Sequence, residues 1–238
     1  MGKYSGPLAP LFCDFAGIEP GMRVLDVGCG PGALTAELVR RVGTDAVAAV
    51  EPAEQFVAAA RQRNPGVDVR VAAAENVPFG DAEFDAALAQ LVVHFMRDPV
   101  AGLREMARVT RDGGVVAACV WDHGGGEGPL SPFWAAVHAI DRSAPDESRL
   151  AGARKGQLTD LFEQAGLTDV HESSISVTVA HATFDEWWEP FTLGVGPAGL
   201  YLAGLDAERR REIRDRCEEL FAPGPPVITA QAWTARGR

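Results

Sequence analysis

The sequence has few cysteines and no long hydrophobic run, and each shortage excludes a class of protein. Four cysteines occur in 238 residues, at Cys13, Cys29, Cys119 and Cys217, and no two of them form a C-x-x-C pair. Neither a disulfide framework nor a metal site is therefore predicted. No apolar run approaches the roughly 18 residues that span a bilayer, and the first residues do not resemble a secretion signal. We therefore expect a cytoplasmic protein without membrane contact.

Basic residues are also in short supply. Lysine and arginine total 22 against 33 aspartates and glutamates, which gives a formal net charge of -11 at pH 7. The basic clusters, at residues 40–41 and 209–211, are small, whereas binding to a phosphate backbone draws on clustered positive side chains. We therefore expect no nucleic-acid partner and favour a small-molecule ligand.

Strand and helix signals alternate through the first half of the chain. Apolar runs typical of strands lie at residues 23–27, 46–50, 67–72, 84–89 and 114–120. Two further runs, at 168–179 and 227–234, alternate apolar and polar residues, and no helix lies between the turn at residues 223–226 and the last run. The pattern predicts an α/β protein with a mostly parallel sheet covered by helices and with an antiparallel last strand.

Two stretches interrupt this alternation, at residues 121–150 and 183–223. Ligands of open α/β sheets bind at the carboxyl ends of the strands, so we expect both stretches to form helical caps over a site there. Trp121 and Trp187 lie in these stretches, and either they line a pocket for an apolar acceptor or they form the core of the cap. The whole chain, residues 1–238, is predicted to be a single domain.

A glycine-rich loop follows the first predicted strand, in V-L-D-V-G-C-G-P-G. Gly28 and Gly30 expose backbone to a ligand, and the loop also satisfies the dinucleotide pattern G-x-G-x-x-G/A. Asp26, however, places a negative charge where a pyrophosphate would bind, which favours a cationic ligand. Glu51 ends the second strand, where a carboxylate can accept both hydroxyls of a ribose. A ribose joined to a cationic group describes S-adenosylmethionine.

The order of the motifs carries a family resemblance. V-L-D-V-G-C-G-P-G is followed by V-E-P, then by A-E-N-V-P-F with F-D-A-A-L, and finally by R-V-T-R-D-G-G. In this order the chain resembles the class I S-adenosylmethionine-dependent methyltransferases, and within them the small-molecule branch of ubiquinone/menaquinone-biosynthesis and trans-aconitate methyltransferases. The resemblance covers about residues 20–120, the expected cofactor-binding core. It implies a Rossmann-like seven-stranded sheet and methyl transfer by in-line displacement.

The resemblance also assigns residues to parts of the cofactor. The methionine part is expected over Asp26, Gly28 and Gly30, and the ribose on Glu51, which Pro52 follows. The remaining implied cofactor contacts are Ala74 and Glu75 beside the adenine, Gln90 at the mouth of the active site, and Tyr4 in an N-terminal arm.

One position departs from the pattern of the family. Many relatives carry an aspartate before the A-E pair, which accepts from the adenine amino group, whereas this chain has Ala73. We therefore expect adenine to be held by backbone groups, by water or by Glu75.

His94 is the leading candidate for a general base. It lies four residues after Gln90, and it either takes a proton from the acceptor near Trp121 and Trp187 or packs beneath the cap. His123, before a run of three glycines, is a weaker candidate.

Two other functions remain open at this stage. The chain could bind S-adenosylmethionine and carry out a non-methylating reaction, or it could be a nicotinamide-dependent oxidoreductase. A homodimer is also compatible with the sequence.

Overall fold

Seven strands of residues 2–238, the part of the chain that this computed structural model describes, form one mixed sheet. They are β1 (Val24–Val27), β2 (Val47–Glu51), β3 (Asp68–Val71), β4 (Phe84–Gln90), β5 (Thr110–Trp121), β6 (His171–Ala180) and β7 (Val227–Gly237). The strand order is β3-β2-β1-β4-β5-β7-β6, and β7 pairs antiparallel with both of its neighbours. The Rossmann-like sheet with an antiparallel last strand is therefore confirmed.

Burial explains why the central strands are nearly all apolar. Every residue of β1 and β2 is buried, as expected for parallel strands with helices on both faces. The edge strand β6 starts at His171, three residues later than its sequence pattern predicts. Asp169 has a φ of 50°, a left-handed conformation that does not fit a strand and delays its start.

Nine α-helices occur among the described residues. They are α1 (Gly2–Ala16), α2 (Ala33–Val42), α3 (Glu54–Arg63), α4 (Pro99–Val109), α5 (Ser131–Ile140), α6 (Gln157–Gln164), α7 (Phe184–Thr192), α8 (Gly196–Ala203) and α9 (Ala207–Phe221). Two hydrophobic clusters, one on each face of the sheet, join these helices to the strands. In α4 the Asp98 side chain accepts from Ala101 N at 3.0 Å, which fixes the start of the helix.

The N-terminal segment differs from the predicted arm because it is a helix of 15 residues. Tyr4, Leu8, Phe12 and Ala16 are all buried, and their spacing of four places them on one face. Pro7 and Pro10 interrupt the internal hydrogen bonding of this helix. Its packing against α2, β5 and β6 therefore supplies the stability that the local sequence does not.

The two interruptions of the strand pattern contain helices, as predicted. Residues 121–150 contain α5, and residues 183–223 contain α7, α8 and α9. Helices α5 and α9 contact each other, so the two insertions meet. None of the helices within residues 2–238 is both long enough and apolar enough to cross a membrane. The division into one domain with two caps stays a prediction.

Candidate active site

Five strands that run in the same direction end along one edge of the sheet. The glycine loop follows β1, Glu51 ends β2, Gln90 ends β4, Trp121 ends β5 and His181 follows β6. Residues that are distant in sequence are therefore brought to a common edge by the strand order alone.

The glycine loop is held close to the sheet. Gly28 N and Cys29 N donate to Val50 O at 2.8 and 3.0 Å, and Gly28 has a φ of 71°. A Cβ added to Gly28 would lie 2.5 Å from Cγ1 of Val92, whereas one added to Gly30 would meet no atom of residues 2–238 within 4 Å. Gly28 therefore allows close packing, and Gly30 borders open space.

Glu51 joins this loop to the start of α3. One carboxylate oxygen accepts from Gly30 N and the other from Ala53 N, each at 3.0 Å. The residue is 7% exposed, and each oxygen keeps a second lone pair for a further donor. Glu51 is thus already oriented, at the position where the sequence predicts a ribose, while Pro52 beside it is exposed.

Asp26 lies beneath the loop. Its carboxylate is 1% exposed and accepts from Thr35 Oγ1 at 2.6 Å. Burial, together with the nearby charge of Glu51, raises the pKa of Asp26 to about 7 even though its hydrogen bond with Thr35 lowers it. The side chain is therefore partly protonated near neutral pH. Contact between Asp26 and a bound cation stays a prediction.

The predicted adenine side is built next to Glu51. Ala72 N donates to Glu51 O at 3.2 Å, Ala73 is exposed and Ala74 is buried. One oxygen of Glu75 accepts from Arg97 N at 2.8 Å and from Asp98 N at 3.1 Å. This oxygen therefore holds the segment before α4, and the contact of Glu75 with adenine stays a prediction.

Helix α1 lies over the end of β4. Gln90 Nε2 donates to Ser5 O at 3.1 Å, while Gln90 Oε1 is buried and meets no hydrogen-bond donor of the described chain. Leu91, the next residue, has a φ of 63°, which is uncommon for a branched side chain and is typical of functional edges.

Tyr4 fixes α1 to the far side of the site. Its hydroxyl lies 3.1 Å from His181 Nε2, and its ring meets Trp121 edge-on with ring centroids 6.2 Å apart. Burial raises the pKa of Tyr4 to about 12. Lys3 and Glu186 form an ion pair next to this contact. Tyr4 is thus packed in place, and its contact with a cofactor stays a prediction.

His94 and His123 face each other across the ends of β4 and β5. Their ring centroids are 6.1 Å apart. Burial lowers the pKa of His94 to about 3 and that of His123 to about 4. Both imidazoles are therefore neutral at neutral pH, which suits a hydrogen-bonding role better than proton abstraction near pH 7. The catalytic role of His94 stays a prediction.

The aromatic residues of the caps pack mainly on one another. Trp187 is 3% exposed, and its ring centroid lies 4.9 Å from that of Phe221 and 5.0 Å from that of Phe191. Trp188 stacks on Phe184. These contacts fit the cap-core alternative, and acceptor contacts of Trp121 and Trp187 stay predictions.

Sequence reasoning missed three residues of this edge. Thr35 orients Asp26, Asn64 Nδ2 donates to Gly32 O at 3.2 Å, and His181 meets Tyr4. Thr35 has a usable signal, since it lies in the first turn of α2 directly after the loop. The other two contact residues far away in sequence, which no local pattern indicates.

Comparison with known proteins agrees with this geometry. The family model described as "Methyltransferase domain" matches residues 25–118. This part of the chain is therefore similar to a methyltransferase domain. The resemblance to class I S-adenosylmethionine-dependent methyltransferases is therefore confirmed for this part of the chain.

The chain spans less than half the length of the curated relatives that it matches. Demethylmenaquinone methyltransferase from Mycobacterium sp. (strain KMS) is 41% identical over 107 residues, which are 45% of this chain and 45% of that protein. Three other curated relatives show the same partial coverage, between 42% and 49% of their length.

Solved structures match the fold over nearly the whole chain. The YcgJ protein from Bacillus subtilis has a TM-score of 0.62 at 20% identity and covers 96% of both chains. Phosphoethanolamine N-methyltransferase 2 from Haemonchus contortus, solved with S-adenosylhomocysteine, has a TM-score of 0.60 at 15% identity. It covers 98% of this chain and 52% of its own. At these identities the likeness concerns the fold alone.

Proposed function

We propose that the chain binds S-adenosylmethionine along the carboxyl edge of its sheet and transfers the methyl group to a small-molecule acceptor beneath the caps. The observation that carries the proposal is the position of Glu51 beside Gly30. An oriented, buried carboxylate there borders a loop whose backbone faces open space. A ribose supplies two hydroxyl donors for such a carboxylate, and the loop leaves room for the rest of the cofactor.

Each remaining contact has a defined role in the proposal. Gly28 and Gly30 let the methionine part approach the backbone, with Asp26 below them, while Pro52 follows the ribose ligand. Ala74 and the second oxygen of Glu75 face the adenine. Gln90 and Tyr4 complete the mouth of the site.

The bound cofactor supplies an activated methyl group on a sulfonium. The protein's own contribution is to exclude water and to aim the acceptor at the site, which lowers the barrier by positioning. Helix α1 and the caps cover the strand ends, and neutral His94 offers a hydrogen bond to the acceptor. Such a role needs no transfer of a proton to the imidazole.

A titration with three ligands tests the proposal. Isothermal calorimetry should detect S-adenosylmethionine and S-adenosylhomocysteine but not a nicotinamide dinucleotide. A metabolite extract supplied with cofactor labelled in its methyl group should then yield a labelled product. Binding of the dinucleotide instead would overturn the proposal. Cofactor binding without any labelled product would support a non-methylating reaction.

Three further expectations belong to the same proposal. A small-molecule acceptor rather than nucleic acid fits the net charge of -11. A cytoplasmic location and a homodimer are proposed from the sequence, and fractionation and light scattering would check them.

A further inference from the structure

A cavity lies between α7, α8 and α9, the helices of the second cap (residues 183–223). Its volume is about 320 Å³, which is within the range of small-molecule sites. One side is apolar and is formed by Trp188 of α7 with Leu202 and Ala203 of α8. None of the residues predicted to bind the cofactor or the acceptor lines this cavity, so it is a candidate for a second, separate ligand site.

Positive charge forms the other side of the cavity. Arg210, Arg211 and Arg214 of α9 line it, and no aspartate or glutamate of residues 2–238 does. The chain as a whole is acidic, with a net charge of -11, so this concentration of arginine is a local feature. A cavity with an apolar side and a cationic side is complementary to an anion that carries an apolar group.

Two of the three arginines have no carboxylate partner among the described residues. Arg214 forms ion pairs with Asp185 at 2.8 Å and with Glu218 at 3.1 Å, so its charge is compensated within the protein. Arg210 donates instead to two backbone carbonyl oxygens at the end of α8, at 2.9 and 2.7 Å. These bonds orient its guanidinium and leave N–H donors unused. The guanidinium of Arg211 has no hydrogen-bond or ion-pair partner in the described chain. An anion in the cavity would therefore meet one oriented and one unpaired guanidinium.

We propose that the cavity binds a small carboxylate with an apolar body. The two oxygens of a carboxylate match the planar N–H groups of Arg210 and Arg211, while the apolar body packs against Trp188 and Leu202. A neutral molecule of the same shape offers no charge to either guanidinium, so it would bind more weakly. The inference goes beyond the proposed function and does not depend on it, because the cavity shares no lining residue with the proposed cofactor site.

Three probes, titrated by calorimetry into the parent protein, test the two sides of the cavity separately. Octanoate carries both the charge and the apolar body, octanol carries the body without the charge, and acetate carries the charge without the body. We expect octanoate to bind about tenfold more tightly than either of the others, because charge-assisted hydrogen bonds and apolar burial both contribute. Octanoate that does not bind, or that binds no more tightly than octanol or acetate, would overturn the inference.

Three variants at exposed positions locate the site. Arg211→Gln removes the unpaired charge, so octanoate should bind about fivefold more weakly while octanol is unaffected. Ala203→Leu places a larger side chain in the cavity and should weaken octanoate and octanol alike. The control is Arg216→Gln, which removes the same charge from the same helix outside the cavity and should keep the parent affinities.

Two results with these variants would overturn the inference. They are an octanoate affinity that is unchanged in Arg211→Gln or Ala203→Leu, and a loss in Arg216→Gln as large as that in Arg211→Gln. Either would show that the anion binds elsewhere. Titration of S-adenosylmethionine into the same proteins keeps the two proposals apart. Absence of that binding in the parent protein contradicts the proposed function, whereas intact binding without octanoate selectivity contradicts only the site in the second cap.

Discussion

At the carboxyl edge of the sheet, the side proposed to bind the cofactor (the cofactor side) and the side proposed to bind the methyl acceptor (the acceptor side) differ in how completely their buried polar groups are paired. On the cofactor side, Glu51 accepts two backbone N–H groups and Asp26 accepts a hydroxyl. At the mouth of the site and on the acceptor side, Gln90 Oε1 and His94 Nδ1 have no hydrogen-bond partner among residues 2–238.

This difference indicates how the two sides bind. On the cofactor side, the polar side chains are already oriented by hydrogen bonds within the protein, so a ligand only adds contacts to them. The acceptor side leaves hydrogen-bonding capacity unused, so its ligand must complete it. Such an arrangement fits one cofactor shared by many proteins of this fold and an acceptor that differs between them.

Substitution of Gly28 should destabilise the glycine loop on the cofactor side. Gly28→Ala adds a left-handed alanine and a contact of 2.5 Å with Val92, so we expect a loss of about 2–5 kcal/mol in the free energy of unfolding. Urea denaturation measures this loss.

Two matched glycine variants separate the effect of backbone strain from the effect of the contact with Val92. Gly113→Ala carries the strain of a φ of 74° without a close contact in the described chain, and it should cost only about 1–2 kcal/mol. Gly30→Ala should lose a similar amount of stability but should also weaken S-adenosylmethionine binding, since its Cβ enters the open space. Equal stability of the Gly28 and Gly113 variants would contradict the role of Val92.

Removal of the Glu51 carboxylate should weaken the cofactor rather than the fold. Glu51→Ala is expected to lower S-adenosylmethionine affinity by about 2–4 kcal/mol, because two charge-assisted hydrogen bonds are lost. Its bonds to Gly30 N and Ala53 N are also lost, so stability should fall by about 1 kcal/mol. Calorimetry measures the affinity. Glu54→Ala, on the exposed first turn of α3, is the control. Unchanged affinity in a folded Glu51 variant would remove this residue from the site.

Asp26 predicts a pH dependence of stability. Its folded pKa of about 7 lies above the ordinary value of 3.8, so the folded protein binds a proton that the unfolded chain has released. Stability is therefore greatest below about pH 4 for this group and is lost as the pH rises towards 7. Asp26→Asn should remove this loss and be more stable than the parent at pH 8, by on the order of 3 kcal/mol. Melting temperatures across pH 4–8 measure the difference, and a constant gap between the two proteins would contradict the raised pKa.

His94 gives the smallest expected effect, on the acceptor side. His94→Gln should lower turnover about tenfold without changing the pH profile between pH 6 and 7.5, because a neutral imidazole with a pKa of about 3 positions the acceptor rather than taking its proton. A loss of 100-fold with a changed profile would instead identify His94 as the general base.

The stability of the same His94 variant can be measured before any acceptor is known. The unfolded chain takes up a proton at His94 below about pH 6.5, whereas the folded protein does so only near pH 3. The contribution of His94 to the stability of the parent should therefore fall as the pH falls through this window, so His94→Gln should gain stability relative to the parent at low pH. His171→Gln, at an exposed site, is the control.

The sequence alone located the seven strands and the edge at which the cofactor is proposed to bind. Apolar runs located all seven strands, and the glycines at 28 and 30 with Glu51 marked the edge, because strand periodicity and glycine conformations act over a few residues. The N-terminal helix escaped this reasoning because Pro7 and Pro10 weaken its local pattern, while packing of Leu8 and Phe12 decides its conformation.

Only the tertiary structure decided which side chains meet and how they are charged. It paired Tyr4 with His181 and His94 with His123. Such contacts join residues far apart in the chain, so no local pattern contains them. Burial then sets the pKa of Asp26 and of His94, since desolvation depends on every atom packed around a group and not on its neighbours in sequence.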